Sequence, residues 1–255
     1  MSNQSYQSAL PLTKSAGRHS GIEMSEKSDN NSATAPKPKG RRREIAAVFT
    51  IQLLLVIALV QLDKIIGFGG NLHLLVGVVF ILLPVMVLDR TDRPYDRYGF
   101  SLGKPHIDLL WVSGAALLLF PPIAYFAPTV WGIKGAAFHW VLPEGYPSAI
   151  FAHLLVTALP EEVFYRGYLL GRLDDAFPQR IRLLGASVGP GLLIQAALFA
   201  AGHYLVDFNP GRLAVFFPAL AFGWLKAERG TLGAPILFHA AGNIFMDIFR
   251  AGLGF

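Results

Sequence analysis

Leu159-Pro160-Glu161-Glu162-Val163-Phe164-Tyr165-Arg166 closes the apolar run from Ala149 to Leu159 and sets two adjacent carboxylates and a guanidinium among hydrocarbon-length segments. Ionisable groups at membrane depth are costly and mark a functional site by default. The same kinds of residue return in two later apolar segments, Phe199-Ala200-Ala201-Gly202-His203 and His239-Ala240-Ala241-Gly242-Asn243. Glutamate, arginine, histidine and asparagine inside such helices form a set able to run hydrolysis.

The surrounding composition is that of a membrane protein. The chain is 53% hydrophobic and 15% charged, with a mean hydropathy of +0.45, too apolar for an ordinary soluble domain. The fold class expected is an all-α polytopic membrane protein. A net charge of +5 and a pI near 9.5 would suit a nucleic-acid binder, but the basic residues sit in a tail and in short loops between apolar runs. Membrane topology accounts for them, and no nucleic-acid partner is expected. With no cysteine, disulfides, cysteine-based zinc sites and thiol nucleophiles are excluded.

Met1 to about Lys39 is rich in Ser, Asn, Gly, Lys and Pro and lacks an apolar core, so it reads as a disordered tail rather than a signal peptide. The division expected is a disordered cytoplasmic tail over 1–43 and a membrane-embedded domain over 44–255. Lys37, Lys39, Arg41, Arg42 and Arg43 precede the first apolar run and should stay on the cytoplasmic side. Seven runs are long enough, or nearly so, to cross: Ile45 to Ile66, Leu72 to Leu88, Ile107 to Ala127, Pro147 to Leu170, Leu183 to Val206, Leu213 to Leu225 and Leu232 to Phe249. This predicts a bundle of about seven transmembrane helices, the same runs accommodating six to eight. Three loops, with Arg90, Arg93, Arg97 and Lys104, with Arg172, Arg180 and Arg182, and with Lys226 and Arg229, then share the side of the tail. The opposite loops hold little beyond Lys64, Lys134 and Arg212, and Trp111, Trp131, Trp140 and Trp224 lie near span ends, where interfacial rings prefer to be.

On a helix, Glu162 can reach Arg166 four residues on, while Glu161 is turned about 100 degrees toward another neighbour. Glu162 is thus expected to stay ionised as an anchor, and Glu161, without an adjacent cation, to act as a general base. His203 follows Gly202, which lets a neighbouring helix come close. His239 and Asn243 share a helical face across three small residues and could present donors to a developing oxyanion. The plainer reading of each is a helix end or an interhelical hydrogen bond.

The signature Glu161-Glu162-x-x-x-Arg166, then Phe199-x-x-x-His203, then His239-x-x-x-Asn243, resembles the CPBP family of intramembrane endopeptidases. That family includes CAAX prenyl proteases and bacteriocin-processing relatives. The motifs fall within 149–250. The resemblance implies a helical protease with a cavity in the bilayer and a glutamate-activated water as nucleophile. Carried over, Glu161 activates the water, His203 holds it, His239 and Asn243 form the oxyanion hole, and Glu162 with Arg166 braces the site. No metal or other cofactor is implied, and zinc held by glutamate and two histidines is the minority alternative. The substrate implied is a membrane-anchored protein or peptide.

Two further readings compete. Gly185-Ala186-Ser187-Val188-Gly189 matches G-x-S-x-G, so Ser187 with His203 or His239 would make a rhomboid-like serine protease, though this reading leaves Glu161, Glu162 and Arg166 unused. A non-catalytic scaffold, immunity factor or transporter could also bury these groups, though no repeat architecture supports it. The long polar tail and compact loops look bacterial, placing the chain in the inner membrane with its N-terminus cytoplasmic. The segment Leu159 to Leu173 is similar to myxosortase-type members, which implies removal of C-terminal sorting or anchor segments. If the fifth span starts at Leu183, His203 lies nearer the outer surface than Glu161.

Overall fold

A computed structural model describes residues 38–69, 71–133, 137–142 and 145–254; within the tail assigned to 1–43, residues 1–37 lie outside this set. Seven helices carry the fold among the described residues: α1 (Pro38–Ile66), α2 (Asn71–Arg90), α3 (Pro105–Val130), α4 (146–176), α5 (Pro190–Asp207), α6 (Phe216–Arg229) and α7 (Gly233–Gly252). Each overlaps one of the seven apolar runs. α1 takes in residues 38–43, placed by sequence with the tail.

The protein is an all-α membrane protein. Within α1, α2 and α3, segments of 27, 20 and 26 residues are long and apolar enough to cross a bilayer. α3 shows why: Leu110, Leu117 and Leu118 point outward at 72%, 78% and 70% exposure, a face suited to lipid rather than water. Helix α3 also runs through Pro121, Pro122 and Pro128, and α2 through Pro84. Membrane helices tolerate such prolines where neighbours or local adjustments satisfy the freed carbonyls.

α1 packs on α2, on α5 and on the end of α4; α3 packs on α7; α6 lies against α5 and α7. The core lies where α4 meets its neighbours. Phe164, Tyr168 and Leu169 are fully buried there with Leu88 of α2 and Ala196 of α5. α4 is not a regular α-helix: wider π-type turns at Ala152–Ala158 and Val163–Leu169 flank the Glu161-Glu162 turn. Pro160 has no N–H for the turn before it, and a π turn is one way a membrane helix accommodates that loss. Such turns recur at functional sites.

The fifth run differs from expectation. Instead of a helix from Leu183, residues Ile181–Leu183 and Ala186–Val188 form strands β1 and β2 of an antiparallel hairpin. Its tip, Leu184-Gly185, has φ of 50° and 94°, and positive φ at both central positions is the type I′ geometry that matches strand twist. Pro190 then starts α5. α5 therefore begins seven residues later than expected, about 10 Å along a helix.

The four basic clusters meet at one end of the bundle. Buried Arg172 binds Glu44 of α1 through two nitrogens at 3.0 and 2.8 Å and Asp175 at 3.1 Å. Arg97 reaches Asp175 at 2.5 Å, Arg93 reaches Glu44 at 3.5 Å, and Arg229 reaches Asp108 at 2.8 Å. The α1 start, the α2–α3 loop, the α4–α5 hairpin and the α6–α7 turn thus share one face, as expected from their charge.

Candidate active site

Glu162 and Arg166 have no exposed side-chain surface and pair at 2.7 Å across one turn of α4. Arg166 is solvated by protein instead of water. Its second nitrogen meets the Ala219 carbonyl of α6 at 3.4 Å, and its guanidinium lies 4.5 Å from the Phe199 ring centre and 4.9 Å from that of Phe222. Aromatic faces attract a cation most strongly when water is excluded.

The same Glu162 oxygen accepts a hydrogen bond from Nδ1 of His239 on α7 at 2.8 Å. Phe222 stacks on that imidazole at 4.7 Å with planes 15° apart. A carboxylate only accepts, so Nδ1 carries the proton, and Nε2 faces away from Glu162. That Nε2 lies 3.9 Å from Oε2 of Glu161. One carboxylate thus orients the histidine, and the other faces its far side.

Glu161 is placed differently from its neighbour. Its side chain is 17% exposed, and its Oε2 has no hydrogen-bond partner among the described residues. It lines a half-open cavity of about 100 Å³ together with His203 and Tyr165, walled by apolar side chains of α1 and α2 such as Phe49, Val76 and Phe80. His203 donates from Nδ1 to the Phe199 carbonyl at 2.9 Å, which leaves Nε2 as an acceptor on the neutral ring.

The later start of α5 resolves the difference in depth. His203 is 13 residues from the start of α5 and Glu161 is 15 from the end of α4, each about 20 Å along its helix from the basic end. Gly202 brings them close, because a Cβ there would sit 2.9 Å from the Tyr165 hydroxyl. On α2, Gly77 plays a similar part against Pro160. Gly202→Val should therefore cost about 1–3 kcal/mol by overpacking, read as a lower melting temperature, with Gly202→Ala milder.

The structure brings Glu161, Glu162, Arg166, His203 and His239 together. Asn243 is one turn beyond His239 on α7 and half-buried; like Glu162, Arg166 and His239, it is not among the side chains that line the cavity. Ser187 is elsewhere: it is exposed on β2, paired in register with Arg182, at the basic end of α5, whereas His203 is about 20 Å up that helix. Ser187 is thus set apart from His203, and the other histidine of the serine reading, His239, is bonded to Glu162. Sequence reasoning overlooked Gln52 of α1, which is 1% exposed and lines the same cavity. A polar residue interrupting the first apolar run was the available signal. It also overlooked His153, which meets Asp247 at 2.6 Å between α4 and α7.

Residues 143–245, which hold every one of the candidate motif residues, match the family model described as Type II CAAX prenyl endopeptidase Rce1-like. Over that segment the chain is similar to the CAAX protease family. It is a membrane peptide hydrolase, and its substrates are in general membrane-associated proteins. The matched CAAX protease domain covers α4 to most of α7, and α1 to α3 lie before it. No curated protein and no solved structure matches the chain.

Proposed function

We propose that the protein cleaves a peptide bond of a membrane-anchored protein or peptide with a water activated by Glu161. The observation that carries this is the unequal placement of the two glutamates. Glu162 is tied through Oε1 to both Arg166 and His239, while Glu161 has no such bonded cation and lines a cavity shared with His203. Glu161 takes a proton from water as the oxygen attacks the carbonyl carbon, and returns it to the amine as the C–N bond breaks. His203, accepting through Nε2, holds the water. His239 stabilises the tetrahedral oxyanion. Because its Nδ1–H is committed to Glu162, it donates to the oxyanion through Nε2 when the ring carries both protons. Asn243 adds an amide donor from the next turn.

The donor set also bears on metal. Both histidines donate Nδ1–H to protein acceptors, which leaves Nε2 free for a metal, but among the described residues no three His, Cys, Asp or Glu side chains group as metal ligands. Dialysis against 1,10-phenanthroline is expected to leave cleavage unchanged; loss restored by zinc would favour the metal reading.

For the substrate, the resemblance of the segment Leu159 to Leu173 to sorting proteases supports removal of a C-terminal anchor or sorting segment. The shared basic end supports a cytoplasmic N-terminus in a bacterial inner membrane. The test is mass spectrometry of new protein termini in membranes of a deletion strain, with and without the wild-type protein. Termini near single C-terminal helices should appear only with the protein, and Ser187→Ala should produce the same set. If no terminus depends on the protein, the reading falls.

A further inference from the structure

We propose that Gln52 is a water-positioning residue: its carboxamide completes a hydrated pocket beside Glu161. Gln52 belongs to α1, outside the segment that matches the family, and it is 1% exposed. Neither its Nε2 nor its Oε1 has a hydrogen-bond partner among the described residues. An unpaired amide buried in a protein is costly, so its position calls for a partner. The cavity it lines supplies the place for one. A volume of about 100 Å³ exceeds the roughly 30 Å³ that one water occupies in the liquid, and a buried water settles where it finds two to four polar partners.

The polar side chains lining this cavity are Gln52, Glu161, Tyr165 and His203. Their donor and acceptor roles are complementary. Glu161 accepts as a carboxylate, and His203 accepts at Nε2 because Nδ1–H is bound to Phe199. Water between them gives both protons away and needs a donor toward its oxygen. Gln52 has two N–H donors, and Tyr165 has a hydroxyl. A donor on one lone pair fixes the water while the other lone pair remains for attack on the carbonyl carbon. The role in catalysis rests on the glutamate–water reading above; the water pocket itself does not.

The probe is water. Purified protein in lipid nanodiscs is exposed to a short X-ray pulse, and hydroxyl-radical labelling is read by mass spectrometry at Phe49 and Tyr165. Tyr165 is only 4% exposed, whereas Tyr125 on the lipid-facing surface is 77% exposed and serves as reference. Wild type should label at Tyr165 despite its burial, and Gln52→Met should lower that labelling several-fold with Tyr125 unchanged. Gln52→Leu is the second variant if the first does not fold. Absent labelling in the wild type, or equal labelling in the folded variant, would overturn the pocket.

The catalytic part is read on a reporter spanning a cut site found in the membrane comparison. Gln52→Met keeps nearly the same length and removes the donors without adding charge, so kcat should fall several-fold with KM unchanged. An unchanged kcat would overturn the positioning role. Were Glu161→Gln to retain cleavage while Gln52→Met loses its labelling, the protease mechanism would fail and the water pocket would stand.

Discussion

Glu161→Gln should abolish measurable cleavage, a loss of about 10²–10⁴ in kcat, while the melting temperature stays close to that of the wild type. Glutamine has nearly the shape of glutamate but takes no proton from water. The fold should survive because Glu161 does not hold the buried charge pair: that pair is Glu162–Arg166, and Glu161 lines the cavity beside it. The histidine it faces lies at 3.9 Å, outside hydrogen-bond reach, so little is lost there. The check is cleavage of the reporter beside thermal unfolding in one preparation. Retained cleavage would remove Glu161 as the base.

Glu161 and Glu162 also show what a sequence can and cannot disclose. Separation by one residue on a helix fixes their divergence, and separation by four fixes the reach from Glu162 to Arg166, so both were legible. The seven helices were legible because each is a run of apolar residues facing lipid or core. Three features were not. The hydrogen bond from His239 to Glu162 joins residues 77 apart in sequence, and no local period encodes which turn of α7 meets which turn of α4. The hairpin at residues 181–188 carries Ile, Leu and Val and so resembles the start of a span; only the Leu184-Gly185 turn and Pro190 argue otherwise. That seven-residue error in the start of α5 created a false mismatch in depth between His203 and Glu161. Gln52 was hidden for another reason: one amide in a long apolar run has no spacing to interpret until a cavity gives it neighbours.

Arg166→Met should be among the most destabilising single changes, by about 3–5 kcal/mol, because it leaves the fully buried Glu162 carboxylate without its cation. It also removes a planar cation held between Phe199 and Phe222 and a bond to the Ala219 carbonyl, which helps join α4 to α6. Arg166→Lys should recover only part of the loss, since an ammonium lacks the fork and the flat face. The double variant Glu162→Gln with Arg166→Met separates two roles. With no buried charge left unpaired, most of the stability should return, as measured by thermal or denaturant unfolding. Activity should not return, because Nδ1–H of His239 would then meet a neutral amide oxygen, a weaker acceptor than a carboxylate for holding the ring in place at the oxyanion. A double variant as active as wild type would show that the charge of Glu162 serves only the fold. A stable, inactive one would show that the ion pair is kept for what it does to His239, with Arg166 present to make a second carboxylate tolerable at that depth.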